Sequence, residues 1–498
     1  MEKRKILNSK IIFWVSDALA FIGLPKTIQE KYNFDIYAII DVTDKQKKFF
    51  QKQELIKFSK IWYFHDHILK TTEKPDTEYL KLIEKKYKIN ISLLISNERF
   101  FNKWNQYYEF SSDEKLSILE QECKLFEKIL DEVQPDFLII GVTNLHHNHL
   151  FYEICKARGI KVLTIRNAFF AGKVIISSDF HSINNMQSKD KFHFSSLVEI
   201  QNYWKKHSNI STSHSGKFLA SKTNYLKAIL KFLFSSNTNT KTHYTYYGRS
   251  KFAVLKGTIF SIIKKRRRES FINKNLIGDI KNKKPIIYFP LQAEPERTTL
   301  IQAPNYTNQI DVITNIVKSL PSGYELYVKE HPIQVFREWR SVNYYKKIMK
   351  LPNVKLIHPS VKSADLIEKS SLVITIASTS GLEAALYNKP SIVFTDLDYS
   401  ILPSVHKIKT IDELPNAIKS SLKKDVKISD LNYYINLIEE NSYELNWDDV
   451  DSDFDQDFHY SGFLADVEIP IEKMRLFLER HSADFDKIAA EFVKKIHD

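Results

Sequence analysis

The chain has 498 residues, enough for two or three domains, and its 43% hydrophobic and 27% charged residues are the balance of a globular rather than a disordered protein. Lys+Arg 73 against Asp+Glu 60 gives a net charge of +13, and only 11 glycines exclude collagen-like and glycine-linker architectures. Two cysteines, Cys123 and Cys155, cannot build a disulfide scaffold or a zinc cluster by themselves, which fits a reducing compartment.

The start, MEKRKILNSK before IIFWVSDALAFIGL, has the outline of a secretion signal. Asp17 interrupts the apolar run, no convincing small-residue cleavage site follows, and the run is too short to span a bilayer. Ile11–Val15 therefore reads as a buried strand with a helix behind it. Asp35–Val42 and Ser59–His65 are further strand candidates, and residues 76–133 are mainly helical. Phe137–Val142 reads as a buried strand, Leu150–Ala157 as a helix stopped by Gly159, and Lys161–Ile165 as the next strand. Short connections between alternating strands and helices predict a parallel sheet.

Residues 180–283 change character. They are rich in Ser, Asn, Lys and aromatic residues, and read as a helical, basic insertion or linker. Behind the apolar stretch Phe252–Ile263 stands Lys264-Lys265-Arg266-Arg267-Arg268. It reads either as a solvated helix end or as a basic amphipathic surface for anionic lipid or a polyanion. No nucleic-acid motif accompanies it, so nucleic acid is not an expected partner.

From residue 284 to 424 a second doubly wound domain is legible. Pro285–Phe289, Tyr324–Lys329, Val354–Ile357, Leu372–Ile376 and Ser391–Phe394 are its strands. Ile310, Ile313, Val317 and Leu320 mark a helical stripe between the first two, ahead of the turn at Pro321-Ser322-Gly323. Residues 425–498 end in a helical stretch, Ile471–Ile496, and include the acidic NWDDVDSDFDQDF. A calcium loop started at Asp449 would place Phe454 and Tyr460 where Gly and Glu are needed, so this segment is expected to be a solvated acidic loop.

Ligands of such sheets bind at the carboxyl ends of the strands. There the second domain carries Ser378, Thr379, Ser380 and Gly381 before a helix with Glu383 in its first turn. That pattern suits an anion, with Glu383 able to accept from ribose hydroxyls; the plainer reading is a helix cap with a dipole-matched carboxylate. Lys329 and His331, with Pro332 behind them, can bind phosphate oxygens and stabilise charge on a leaving group. Gln292, Glu294, Glu296 and Arg297 follow the first strand, where Gln292 can bond a base or sugar and Arg297 can neutralise an anion. In the first domain, His146, His147 and His149 follow a strand and are read as acceptor or cleft lining, or as an ordinary loop; no metal is expected there. Glu98, in Ser96-Asn97-Glu98-Arg99-Phe100, is a candidate general base, with a Glu–Arg surface pair as the alternative. Metal chemistry through a DxD motif has only Asp396-Leu397-Asp398 and the acidic tail to draw on, both far downstream.

Phe289–Glu296, Lys329–Pro332 and Ser378–Pro390 together resemble the capsule polysaccharide synthesis family, which includes bacterial Kdo transferases. The likeness covers about residues 285–395, and Asn97–Phe100 and Pro135–Ile140 fit it more loosely. The His-Pro and Ser/Thr motifs also look like those of bacterial sialyl- and polysialyltransferases. The resemblance implies an α/β, GT-B-like fold: two Rossmann-like doubly wound domains facing a cleft, here with a helical insertion. Domain limits of 1–179 (acceptor), 180–283, 284–424 (nucleotide-sugar) and 425–498 follow. It implies a metal-independent glycosyltransferase with no cofactor. The donor is a nucleotide-sugar, CMP-linked and acidic such as Kdo or sialic acid, and the acceptor a surface polysaccharide or lipid-linked glycan. His331 and Ser378–Ser380 would hold the donor phosphate and Glu383 the ribose. The expected location is cytoplasmic and peripheral at the membrane. The rivals are a UDP-sugar 2-epimerase-like enzyme, a polyol-phosphate transferase of the same fold, and a non-catalytic polyanion- or membrane-binding protein.

Overall fold

The computed structural model describes residues 9–16, 19–104, 106–168, 173–179, 191–208, 222–280 and 283–497. The chain forms two compact units. One comprises Met1–Phe180, His207–Ala253 and Ser442–Asp498, the other His181–Lys206 and Val254–Asn441. The stretch 180–283, expected as a separate insertion, is thus shared between the units, and the stretch 425–498 is divided at Ser442, from which point it belongs to the first.

The first unit is built on β1 (Lys10–Val15), β2 (Asp35–Ile40), β3 (Lys60–Tyr63), β4 (Phe137–Ile140), β5 (Lys161–Asn167) and β6 (Lys173–Ser177). The second is built on β7 (Ile286–Pro290), β8 (Glu325–Lys329), β9 (Val354–Ile357), β10 (Ser370–Thr375), β11 (Ser391–Val393) and β12 (Val405–Lys407). A late strand, β13 (Tyr443–Glu444), joins the first sheet, whose order is β13-β6-β5-β4-β1-β2-β3; the second runs β12-β11-β10-β7-β8-β9. The second sheet is parallel throughout. In the first, only β6 breaks the direction, antiparallel to both β5 and β13.

Both faces of each sheet are covered, which is why the strands are apolar nearly without interruption. Along β1, Ile11, Phe13 and Val15 enter one core, and Ile12 and Trp14 the other. Along β7, Ile287 and Phe289 face one way, and Ile286 and Tyr288 the other. Each sheet has a switch point, where the connections reverse direction: β1/β4 in the first unit and β7/β10 in the second.

The acidic segment is not a solvated loop. It is the helix Trp447–Phe458, with Val450, Phe454 and Phe458 buried in the first unit's core. Those three residues recur at every fourth position, one stripe of a helix, and the aspartates occupy the remaining faces. Helices Ile471–Arg480 and Ser482–His497 complete that core through Phe477, Phe485 and Phe492. Cys123 and Cys155 are buried free thiols. Among the described residues, no helix is long and apolar enough to cross a membrane.

Candidate functional site

The carboxyl ends of β7, β8 and β10 lie level with one another. Lys329 pairs with Pro290, and Val373 pairs with Tyr288, so Thr375 stands beside Pro290. Past β7, Gln292 is buried and its Nε2 donates to Thr375 Oγ1 at 3.2 Å. Gln309 clasps the Gln292 backbone from both sides, accepting its N–H at 2.7 Å and donating to its carbonyl at 3.1 Å. Past β10, Thr375 Oγ1 donates to Ser378 Oγ at 3.0 Å, and Ser378 Oγ accepts the Ser380 N–H at 3.2 Å. Thr379 Oγ1 donates to Glu383 Oε1 at 2.9 Å.

These hydroxyls first serve their own turn, as in the capping reading. The helix that follows, Ser380–Leu386, has only seven residues. At Gly381 the close approach comes from the chain itself: a Cβ there would stand 2.7 Å from the Tyr399 hydroxyl, which donates to the Ser378 carbonyl.

Lys329 is 3% exposed and donates to Ser363 Oγ at 2.9 Å. Burial drives its ammonium down to about 8, against the opposing pull of Glu383 and Glu330. Burial likewise pushes the Glu383 carboxyl up, opposed by the Thr379 hydrogen bond and the Lys329 charge. His331 is half-buried, and its Nδ1 accepts the Ile333 N–H at 3.2 Å. Burial, then the charges of Lys329, Arg337 and Arg340, push the ring down to about 4. At neutral pH it is therefore an uncharged imidazole with its proton on Nε2, a hydrogen-bond donor rather than a cation.

A second set of residues, not singled out in the sequence, holds these loops. Glu330 is fully buried and accepts from Arg340 Nε at 3.1 Å, the Tyr345 hydroxyl at 2.6 Å and the His331 N–H at 2.6 Å. Arg340 also pairs with Glu294 Oε2 at 2.8 Å and donates to the Gln292 carbonyl. Glu294, expected to contact the ligand, is thus engaged by Arg340 and by Gln309 Nε2 at 2.5 Å. Arg337 joins the same loop, donating to the Glu294 carbonyl at 3.1 Å and to Glu296 Oε1 at 3.0 Å. Arg297 is half-buried at the start of the short helix Arg297–Leu300.

Glu98, His146 and His147 belong to the first unit, where they are buried at 4%, 2% and 1% exposure. His146 Nδ1 meets Glu98 Oε2 at 2.7 Å and its Nε2 meets Glu122 Oε1 at 3.1 Å. Burial disfavours its charge, but Glu122 and Glu98 raise it to about 10, so the ring is an imidazolium between two carboxylates. Burial would push Glu98 up as well; the charge and hydrogen bond of His146, with the Phe100 and His146 amides, hold it at about 2. His147 lies between Asp41 Oδ2 and the Tyr244 hydroxyl, each at 2.9 Å. Neither Glu98 nor the two histidines is open to an acceptor, which corrects their reading as base and acceptor contacts: they are interior polar groups that hold the helix His146–Ala157 in place. Glu122, His146 and His147 offer donor atoms within 4.8 Å of one another, but both ring nitrogens of each histidine already have partners in the chain.

In the basic run, Arg268 is a clasp: it donates to the carbonyls of Glu338 and Trp339 at 3.1 and 2.9 Å. Lys264, Arg266 and Arg267 are exposed.

Two doubly wound α/β units, each with a topological switch point, give the chain a GT-B-like fold. Residues 197–404 match the family described as "Capsule polysaccharide biosynthesis protein", so the resemblance carried by Phe289–Glu296, Lys329–Pro332 and Ser378–Pro390 holds over that span. No curated protein matches the chain. The similar solved structures include a β-Kdo 2,7 transferase, KpsC, of Thermosulfurimonas dismutans, at 12% identity over 66% of this chain and 81% of that one, with TM-score 0.30. They also include the UDP-GlcNAc 2-epimerase of Methanocaldococcus jannaschii, at 12% identity over 84% and 94%, with TM-score 0.23. A third is the N-terminal domain of Candida albicans trehalose-6-phosphate phosphatase, at 12% identity over 92% and 96%, with TM-score 0.31.

Arg340→Met leaves Glu330 buried without its cation, and is expected to lower the stability of the second unit by roughly 3–5 kcal/mol. Adding Glu330→Gln recovers part of that loss in a double-mutant cycle followed by urea denaturation; strictly additive losses would separate the two residues. The imidazolium has a pH signature. His146 titrates near 6.5 when unfolded and about 10 when folded, so its contribution is complete below pH 6.5 and is lost as pH rises through 10. Thermal unfolding of the first unit should therefore weaken across that window, and His146→Gln should flatten the decline.

Proposed function

We propose that the protein is a glycosyltransferase of surface-polysaccharide assembly. Its second unit holds a nucleotide-sugar, with a CMP-linked acidic sugar such as Kdo or sialic acid as donor, and its acceptor is a glycan or glycolipid. The observation that carries this reading is the charge arrangement at the β7/β10 switch point. Lys329 brings a buried ammonium to the strand ends with one hydroxyl partner, Ser363, and His331 adds a neutral Nε2–H donor one residue past the buried Glu330. The capsule polysaccharide family match over 197–404 includes both residues.

When the bond between the sugar and the phosphate oxygen breaks, negative charge grows on the nucleotide phosphate. Lys329 and His331 can stabilise that charge from positions fixed before the reaction, so their effect is greatest in the transition state. Burial makes the ammonium's field stronger than it would be in water. Glu383, held by Thr379, suits ribose hydroxyls, from which its carboxylate oxygens can accept. Gln292 and Ser378 set the floor of the site through Thr375.

The working place proposed is the cytoplasmic face of a membrane. Helix Lys251–Asn275 exposes Phe252, Ile259, Phe260 and Ile263 beside Lys264, Arg266 and Arg267. Apolar side chains to enter the interface and cations to meet acidic headgroups are the two signals that peripheral attachment needs.

CMP is expected to bind in preference to UDP and GDP in calorimetry. Lys329→Ala should weaken CMP by roughly 10–100-fold, the worth of one charge-assisted hydrogen bond. Affinity of the wild type should fall as pH rises through 8, where Lys329 gives up its proton, and the Lys329→Ala variant should lose that slope. Retained CMP affinity in the variant would remove Lys329 from the donor site. Vesicles containing phosphatidylglycerol should sediment the wild type at low salt, and Phe260→Ser/Arg266→Ser/Arg267→Ser should stay in solution.

A further inference from the structure

The other switch point, β1/β4, carries a pocket. Its volume is about 250 Å³, and it lies where β1, β4 and β5 end: Ser16, Gly141, Val142 and Arg166 line it together with Trp14 and the start of the helix Trp447–Phe458. That is smaller than the ~300–1,000 Å³ typical of sites for drug-sized ligands, and matches one sugar ring better than a nucleotide.

Its walls have a definite chemistry. Trp447 and Trp14 supply aromatic surface, and Asp448, Asp451 and Asn148 supply hydrogen-bonding groups. Two carboxylates against the one guanidinium of Arg166 make the lining net negative, which disfavours a phosphate or an acidic sugar. Hydroxyl groups are the natural partners of such carboxylates, and the apolar face of a pyranose is the natural partner of an indole. Trp14 is 3% exposed, so it is a core residue whose ring edge backs the pocket, while Trp447 is the more open of the two indoles. Asn167 holds Asp448 Oδ1 at 2.9 Å, and Trp447 packs edge-on against Phe21 with ring centres 6.0 Å apart, so the floor and the wall are fixed before any ligand arrives.

We propose that this pocket binds an uncharged pyranose of the acceptor glycan, read through Trp14, Trp447, Asp448 and Asp451 at the β1/β4 switch point. As an acceptor site it rests on the glycosyltransferase reading; as a sugar site it stands by itself. The histidines expected to meet the acceptor lie behind its wall, where the His147 ring stacks on Trp14 at 5.8 Å. The pocket itself is met by Asn144 and Asn148, on either side of the helix start.

The test uses the full chain and saturation-transfer NMR with four probes: the methyl glycosides of glucose, galactose, N-acetylglucosamine and glucuronic acid. At least one neutral glycoside should receive saturation, and the glucuronide should bind more weakly than the glucoside. Trp447→Ala should reduce the neutral affinity by about tenfold, the scale of one aromatic platform and its hydrogen bonds. Gly141→Leu gives an independent block: a Cβ at Gly141 meets nothing within 4 Å, so the added side chain enters the pocket rather than the core. CMP affinity should be unchanged in both variants. Transfer to none of the probes, equal transfer in the Gly141→Leu protein, or preference for the glucuronide would overturn the proposal. Absence of CMP binding in the wild type, with neutral sugars still bound at the pocket, would instead strike the donor reading and leave the sugar site standing.

Discussion

The candidate donor site depends on one buried cation. Arg340 has an exposure of 7% and bridges Glu294, from the loop after β7, to Glu330, from the loop after β8. Two carboxylates at that depth would be intolerable without it, and it would be intolerable without them. The arrangement places Lys329 and His331 on either side of a residue that cannot move, since Glu330 is held by Arg340, Tyr345 and the His331 amide together. The ligand-facing groups are therefore positioned by residues that themselves face the protein.

The two units apply the same topological rule to different chemistry. In each, the chain turns back beside its first strand, and strand ends part at β1/β4 and β7/β10. The second unit presents an ammonium, an uncharged imidazole and a carboxyl, a set suited to an anion and its ribose. The first unit presents two indoles and two aspartates around an open volume, a set suited to hydroxyls. Its own strong charges are withdrawn into the interior, where the His146 ring stands between Glu98 and Glu122.

Much of this was legible in the residues. The strands of the second sheet appear as short apolar runs, and the Lys-Glu-His-Pro and Ser-Thr-Ser-Gly turns mark its carboxyl edge because both must leave a buried strand abruptly. What periodicity conceals is partnership at long range. Arg340 reads as a surface arginine until Glu294 and Glu330 are brought to it. Glu98 and His146 are 48 residues apart in sequence and meet only when the helix His146–Ala157 docks. The Trp447–Phe458 helix was hidden by its aspartates, although Val450, Phe454 and Phe458 carry the fourfold spacing. Its hydrophobic stripe outweighed its charge because the acids remain on the outer faces.

The way the first unit closes sets an order of assembly. One face of β1 shares its core with Phe477, Phe485 and Phe492, which are synthesised only after every residue of the second unit. Residues 254–441 are complete well before that. The second unit can thus mature first, while β1 and its neighbours wait with an uncovered apolar face, the reverse of the usual vectorial order. Nascent chains stalled short of the helices Ile471–Arg480 and Ser482–His497 would hold a finished second unit and an unfinished first, and would be the species most in need of a chaperone.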